Sequence, residues 1–316
     1  MSETLTEPSK RLANLSPEKR RLLLNLLQKE AARTEKGRSI PRRTGQGPAP
    51  LSFSQQRLWF LDRLSPGSPA YNLSSAVRLR GPLRVEALRR ALNEIVRRHE
   101  VLRARFEEAG GQPVQVIAPA LEIELPLVDL GEAAEIGALA LEEARRPFDL
   151  ARGPLLRALL VRRSPRSRRW TAEHVLLFTL HHTVSDGWSM GVLAREVAAL
   201  YEAFAAGLPS PLPELPLQFP DYAVWQRQWL QGEVREQQLE YWRDQLAGAP
   251  AVLELPTDRP RPPIQSFRGA VELAQLPSTL ADRLRALSRQ SGTTLFMTLL
   301  AAFQVLLARY SGQEDI

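Results

Sequence analysis

The chain has 316 residues, 44% of them hydrophobic, which suffices for real cores and two domains of ordinary size. It contains no cysteine, excluding disulfides, thiol catalysis and cysteine metal sites. Basic residues exceed acidic ones by 42 − 35 = 7, yet they are interspersed with acids along helical patterns, which argues against a nucleic-acid partner.

Met1 to Pro8 is polar and acidic, without the apolar centre of a signal peptide, and no apolar run approaches membrane-spanning length. A soluble, cytoplasmic protein with no membrane contact is therefore expected. Residues 1–14 read as disordered. Ser16 and Pro17 then open an amphipathic helix over about 16–33, with Leu22, Leu23, Leu26 and Leu27 on one stripe. That stripe packs on its own domain or docks an upstream protein. Thr34 to Pro50 reads as a linker, so residues 1–49 form a first segment of tail, helix and linker.

The globular part starts at Leu51. Ser54 is placed to cap a helix burying Leu58, Trp59 and Leu61, and Asn72–Arg80 alternates as a strand. Leu83–Arg98 is an amphipathic helix with Val85, Leu88, Leu92, Ile95 and Val96 on its buried side. Strand patterns follow at 98–106, Val114–Ile117 and Ile123–Val128, then a helix over Glu132–Arg145. Leu155–Val161 and Trp170–His182 are two further strands. Between them Arg162 to Arg169 is a solvated hairpin loop with no aromatic residue to stack a base. Met190–Ala206 is helical. Strands interleaved with helices on a common sheet predict an α/β sandwich, with a first lobe over 50–206.

Prolines at 209, 211, 213, 216 and 220 then force an extended crossing. Helical segments run from Phe219 to about Leu246, and a second proline-rich connector, Pro250–Pro263, leads to a strand near Gly269–Leu276. Helices over about Thr279–Ser291 and Thr293–Tyr310 follow, so 207–316 reads as a crossover and an incomplete second lobe.

The stretch Leu180 to Ser189 carries the candidate chemistry: a strand delivers His181 and His182 into a tight turn, and a helix leaves it. Adjacent strand residues point to opposite faces, so only one of the two histidines faces a given cavity. For the same reason they diverge, and with no third ligand at useful spacing a metal site is a poor fit. Asp186 lies where a carboxylate pins the turn or caps the helix, and Gly187 permits angles or close approaches that a side chain forbids. A buried core histidine and a simple helix cap are the bland alternatives.

The string from His181 to Ser189 resembles the HHxxxDGxS signature of nonribosomal peptide synthetase condensation domains. Three more blocks are similar in order: Ser54-Gln55-Gln56-Arg57-Leu58-Trp59, Arg98 to Phe106 (with Ala104 where threonine is usual), and Asp221-Tyr222-Ala223-Val224-Trp225. The resemblance covers about residue 50 to the end and implies a chloramphenicol acetyltransferase-like α/β fold. It also implies amide formation between two thioesters carried on the phosphopantetheine of donor and acceptor carrier proteins, with no directly bound cofactor and an adenylation domain as neighbour. His182 is then the catalytic imidazole, with His181 packed on the reverse face and Ser189 supporting. Asp186 points away from substrate into a salt bridge with Arg103, or less favourably Arg98. Gly187 leaves room for the phosphopantetheine arm and offers its N–H to an oxyanion. Trp59, Tyr222 and Trp225 read as core packing. The SDGWS ending resembles domains that accept an L-configured donor, and the histidines argue against heterocyclisation domains, which carry aspartates there. Later GxFVNT and QDxPFE blocks are absent, so the chain is expected to stop inside its second lobe, with doubtful activity by itself. A coenzyme A-dependent acyltransferase of the same fold and a non-enzymatic docking module are the competing functions.

Overall fold

The computed structural model describes residues 39–45, 47–130, 135–163, 173–260, 262–263 and 269–316. The helix expected at 16–33 and most of the arginine-rich loop lie outside the described residues. Two compact units divide at Gly232. The first runs β1 (Ala49–Pro50), α1 (Phe53–Leu64), β2 (Asn72–Leu79), α2 (Val85–Arg98), β3 (Ala104–Ala109), β4 (Gln112–Ile117), β5 (Leu127–Leu130), α3 (Ile136–Arg145), β6 (Leu156–Arg163), β7 (Glu173–His181), α4 (Gly187–Ala205) and α5 (Phe219–Trp229). The second holds α6 (Glu233–Gln245), α7 (Ser278–Gln290) and α8 (Leu295–Ser311).

The main sheet has the order β2-β7-β6-β5, antiparallel except for the β5–β6 pair. Its strand β7 is buried almost throughout, with an apolar centre from Val175 to Phe178, because both of its faces are covered. On one face α2 contributes Leu88, Leu92, Ile95 and Val96, which meet Leu156, Leu160, Leu176, Phe178 and Leu180 of the sheet and Leu200 of α4. On the other face Ile136, Leu139 and Ala140 of α3 cover Val161, Val175 and Leu177. This arrangement fixes where β7 ends, and so where the histidine turn lies.

The expected common sheet is in fact two sheets. β3 and β4 form a hairpin that pairs with β1 in the order β1-β4-β3. Gly110 and Gly111 make its two-residue turn at φ 59° and 73°, angles that suit a twisted hairpin and favour glycine. The strand expected at Ile123–Val128 starts only at Leu127, where the chain comes alongside β6. Gly269–Leu276 carries no strand among the described residues. Ser52, not Ser54, caps α1: its side chain accepts from Gln55 N at 3.2 Å, and Gln55 Oε1 accepts from Ser52 N at 3.1 Å.

α5 lies within the first compact unit and is tied to it. Arg227 Nε donates to the Leu51 carbonyl at 2.7 Å, and Phe53 N donates to Gln226 Oε1 at 3.0 Å. Among the described residues, no single helix is long and apolar enough to cross a membrane.

Candidate active site

β7 ends at His181, and the next three residues turn sharply before α4 begins. His181 N donates to the Leu155 carbonyl at 3.0 Å and His182 N to the Tyr71 carbonyl at 2.9 Å, so the turn is stitched to chain on both sides. Strand alternation then separates the two rings. His181 is 3% exposed, with its ring edge-on to Phe148 and Tyr71. Its Nδ1 accepts from Thr183 N at 3.2 Å and lies 2.9 Å from Thr183 Oγ1. Burial, and then the nearby His182, push its pKa down to about 4, so it is neutral at ordinary pH.

His182 is exposed on the wall of a cleft of about 600 Å³, a size typical of small-molecule sites. Its Nδ1 lies 2.8 Å from the Ser185 carbonyl oxygen, which can only accept. The proton of the neutral ring therefore sits on Nδ1, and Nε2 keeps its lone pair. The same wall includes Ser52, Gln55 and Leu58 from the start of α1, His99 and Val101 after α2, and Gln218, Phe219 and Tyr222 from the start of α5.

Asp186 is the N-cap of α4. Its backbone is extended (φ −142°, ψ −177°), and its Oδ1 accepts from Ser189 N at 2.8 Å and Ser189 Oγ at 2.6 Å. The Ser189 hydroxyl, first, and its amide hold the Asp186 carboxyl below the usual range. Gly187 is the first residue of the helix, so its N–H has no intrahelical acceptor. A Cβ there would meet nothing within 4 Å, and its φ lies outside the left-handed region. Neither backbone strain nor crowding within this chain explains the glycine.

The expected Asp186–Arg103 ion pair is not formed. Arg103 is engaged by carbonyls at the end of α2 and past β4: Nε donates to Ala118 O at 2.9 Å, and one terminal nitrogen to Val96 O at 2.8 Å and to Arg97 O. Arg98, the alternative, is buried against Glu196 of α4, with Nε 3.1 Å from Oε2, and also donates to Pro213 O. Asp186 instead lies exposed on the cleft wall, because an N-cap carboxylate has the helix amides immediately beside it in the chain. Tyr222 also departs from core packing and lines the cleft, and Trp225 is half-buried and stacked on Trp229 at 5.3 Å. Trp59 packs on the core as expected.

Four residues outside the sequence-based set of site residues hold the site together. Gln55, 2% exposed, donates to the Thr183 carbonyl at 3.2 Å and so ties the head of α1 to the histidine turn. Glu196 accepts from Arg98 and lies 2.7 Å from His99 Nε2. Arg43, in the stretch read as a linker, bridges Glu100 at 2.6 Å and Asp221 at 3.1 Å, joining two of the sequence blocks through a third, unrecognised segment. Gln218 completes that joint by donating to Arg98 O at 3.0 Å and accepting from Glu100 N at 3.0 Å. A capping-type glutamine at 55 and the charge of Glu196 on an otherwise apolar α4 face were the available signals. Arg43 had none.

The condensation-domain family model matches residues 45–316. The chain is 46% identical over 314 residues to the phosphinothricin tripeptide synthetase PhsC of Streptomyces viridochromogenes, covering 97% of this chain and 28% of that protein. Among solved structures it is similar to the X-domain from teicoplanin biosynthesis, with 34% identity and a TM-score of 0.74 over 86% of this chain and 59% of that one. It shares its fold with the first condensation domain of the CDA synthetase, at 21% identity and a TM-score of 0.68 over 84% and 63% of the two chains. The chain thus spans a small part of the synthetase and under two thirds of either solved chain. With four sequence blocks gathered around one cleft and a family model covering everything from residue 45, this chain belongs to the condensation-domain family.

Proposed function

We propose that the His182 cleft joins a donor acyl thioester to the amine of an acceptor thioester, both presented on phosphopantetheine by carrier proteins of a nonribosomal peptide synthetase. The single observation that carries this is the 2.8 Å contact between His182 Nδ1 and the Ser185 carbonyl on the cleft wall, from which Nε2 follows as the acceptor. An α-amine has a pKa of about 7.7–8.0, so much of it is neutral near pH 7–8 and needs placement more than deprotonation. Nε2 accepts a hydrogen bond from that amine as its lone pair adds to the thioester carbonyl. The C–N bond forms, the C–S bond breaks, and the amine proton passes by way of the imidazole to the departing thiolate. The Gly187 N–H, without an intrahelical acceptor at the start of α4, supports the oxyanion, and the open space where its Cβ would stand leaves a path for the thioester arm. Asp186 with Ser189 shapes the start of α4, while neutral His181 and Arg103 hold the turn and the end of α2. The donor is L-configured, an adenylation domain neighbours the chain in its parent synthetase, and the setting is cytoplasmic.

The test mixes two loaded carrier proteins with this chain and, in parallel, with the chain lengthened to the span of its solved relatives. Dipeptide formation by either form supports the reading. No product from either, or turnover of acyl-coenzyme A without any carrier, overturns it.

A further inference from the structure

A second hollow opens beside the His182 cleft. It measures about 140 Å³ and is walled by Val101, Leu102, Leu180, Val184, Trp188 and Val192. Val101, Val184 and Ser185 belong to both spaces, so the hollow is a side pocket on the wall that also carries His182. It is open to solvent on one side, where Trp188 of α4 stands 83% exposed on its rim. The imidazole of His99, at its edge, is already engaged by Glu196. Ser185 and Ser189 also border it, and the Ser189 hydroxyl is already given to Asp186, so the walls are mainly apolar. A hollow of this volume has room for a group the size of benzene. Neither Val192 nor Trp188 belongs to the packed core or to the side chains packed against it.

We propose that this hollow is a specificity pocket for an apolar substrate side chain of leucine to phenylalanine size, carried by one of the two thioesters. The inference rests on the acyl-transfer reading of His182, because only there does a neighbouring pocket meet a substrate side chain. Glycyl substrates leave it empty, and charged side chains meet no partner in it. One methylene in such a pocket discriminates by about 10–200-fold.

The experiment compares kcat/KM for leucyl, phenylalanyl and glycyl carriers, first in the donor and then in the acceptor position, in wild type, Val192→Phe and Val192→Ala. Val192→Phe fills the hollow, and the leucyl-to-glycyl ratio should fall by about 10–200-fold in one position only, which identifies the substrate that uses it. Val192→Ala should shift the preference toward phenylalanyl. An equal change for leucyl and glycyl in both positions, or no change, overturns the pocket while leaving the reaction intact. Should no form turn over any pair, the acyl-transfer reading fails. The pocket is then judged by the Trp188 indole NMR signal (assigned through Trp188→Phe) on titration with leucyl- and glycyl-S-pantetheine. A shift with the leucyl probe that Val192→Phe removes retains an apolar-ligand site; the same response to both probes rejects it.

Discussion

The two histidines are neighbours in the chain and opposites in physical state. His182 is exposed and makes one side-chain hydrogen bond, so removing its ring costs the fold little. His182→Ala should lower product formation by about 10²–10⁴-fold, the usual range for a lost acid–base group, with the urea midpoint unchanged. Retained activity would remove the ring from the reaction. His181 behaves in the reverse manner. Its pKa is about 4 in the fold against 6.5 as an unperturbed group, so between those values the unfolded chain binds a proton that the folded chain refuses. Its contribution to stability is full above pH 6.5 and drains away as pH falls toward 4, by about 3 kcal/mol in all. Equilibrium unfolding from pH 7 to 4 should show that slope, and His181→Asn should flatten it. Equal slopes in the two proteins would mean that the ring is not buried in its neutral form.

Between elements, the decisive relation is the separation of Asp186 from Arg103. Asp186 serves α4 as a cap, so Asp186→Ala should cost about 1 kcal/mol while Asp186→Asn, still a good cap, costs less. Arg103 serves the carbonyls at the end of α2, and Arg103→Met should cost about 1–3 kcal/mol through groups left unpaired. In a double-mutant cycle the two losses should add to within about 0.5 kcal/mol. A coupling well above that would re-establish the ion pair. Packing of α2 against the sheet contributes more: Ile95 is 1% exposed, and Ile95→Ala should cost about 2–5 kcal/mol in urea denaturation. The periodicity of α2 was legible because its apolar positions recur within a single turn or two. The Ile123–Val128 run was not legible as a loop, because whether a short apolar segment pairs depends on when a neighbouring strand reaches it.

At the scale of the whole first unit, Arg43 joins segments that no local pattern connects. Its guanidinium faces Glu100 and Asp221, and Asp221 is 1% exposed. Without the guanidinium the buried Asp221 carboxylate keeps only the backbone N–H groups of residue 43 and Gln218, so Arg43→Ala should destabilise by about 1.5–3 kcal/mol, well beyond what a residue in a free linker costs. A change under about 0.5 kcal/mol, the usual scatter of surface substitutions, would return the segment to linker status. The four sequence blocks owe their clustering to such joints, with Gln55 on the Thr183 carbonyl, Gln218 between Arg98 and Glu100, and Arg43 across to Asp221. The amino-acid pattern alone determined the strand–turn–helix that presents His182, the helices of the first unit and the family, because each rests on spacing within a few residues or on ordered motifs. Tertiary structure decided which charges meet, that the strands form two sheets, and that Arg43 locks onto a carboxylate 178 residues away. Those partners are set by packing across the fold, where many cations compete for each carboxylate and sequence distance carries no information about which one arrives.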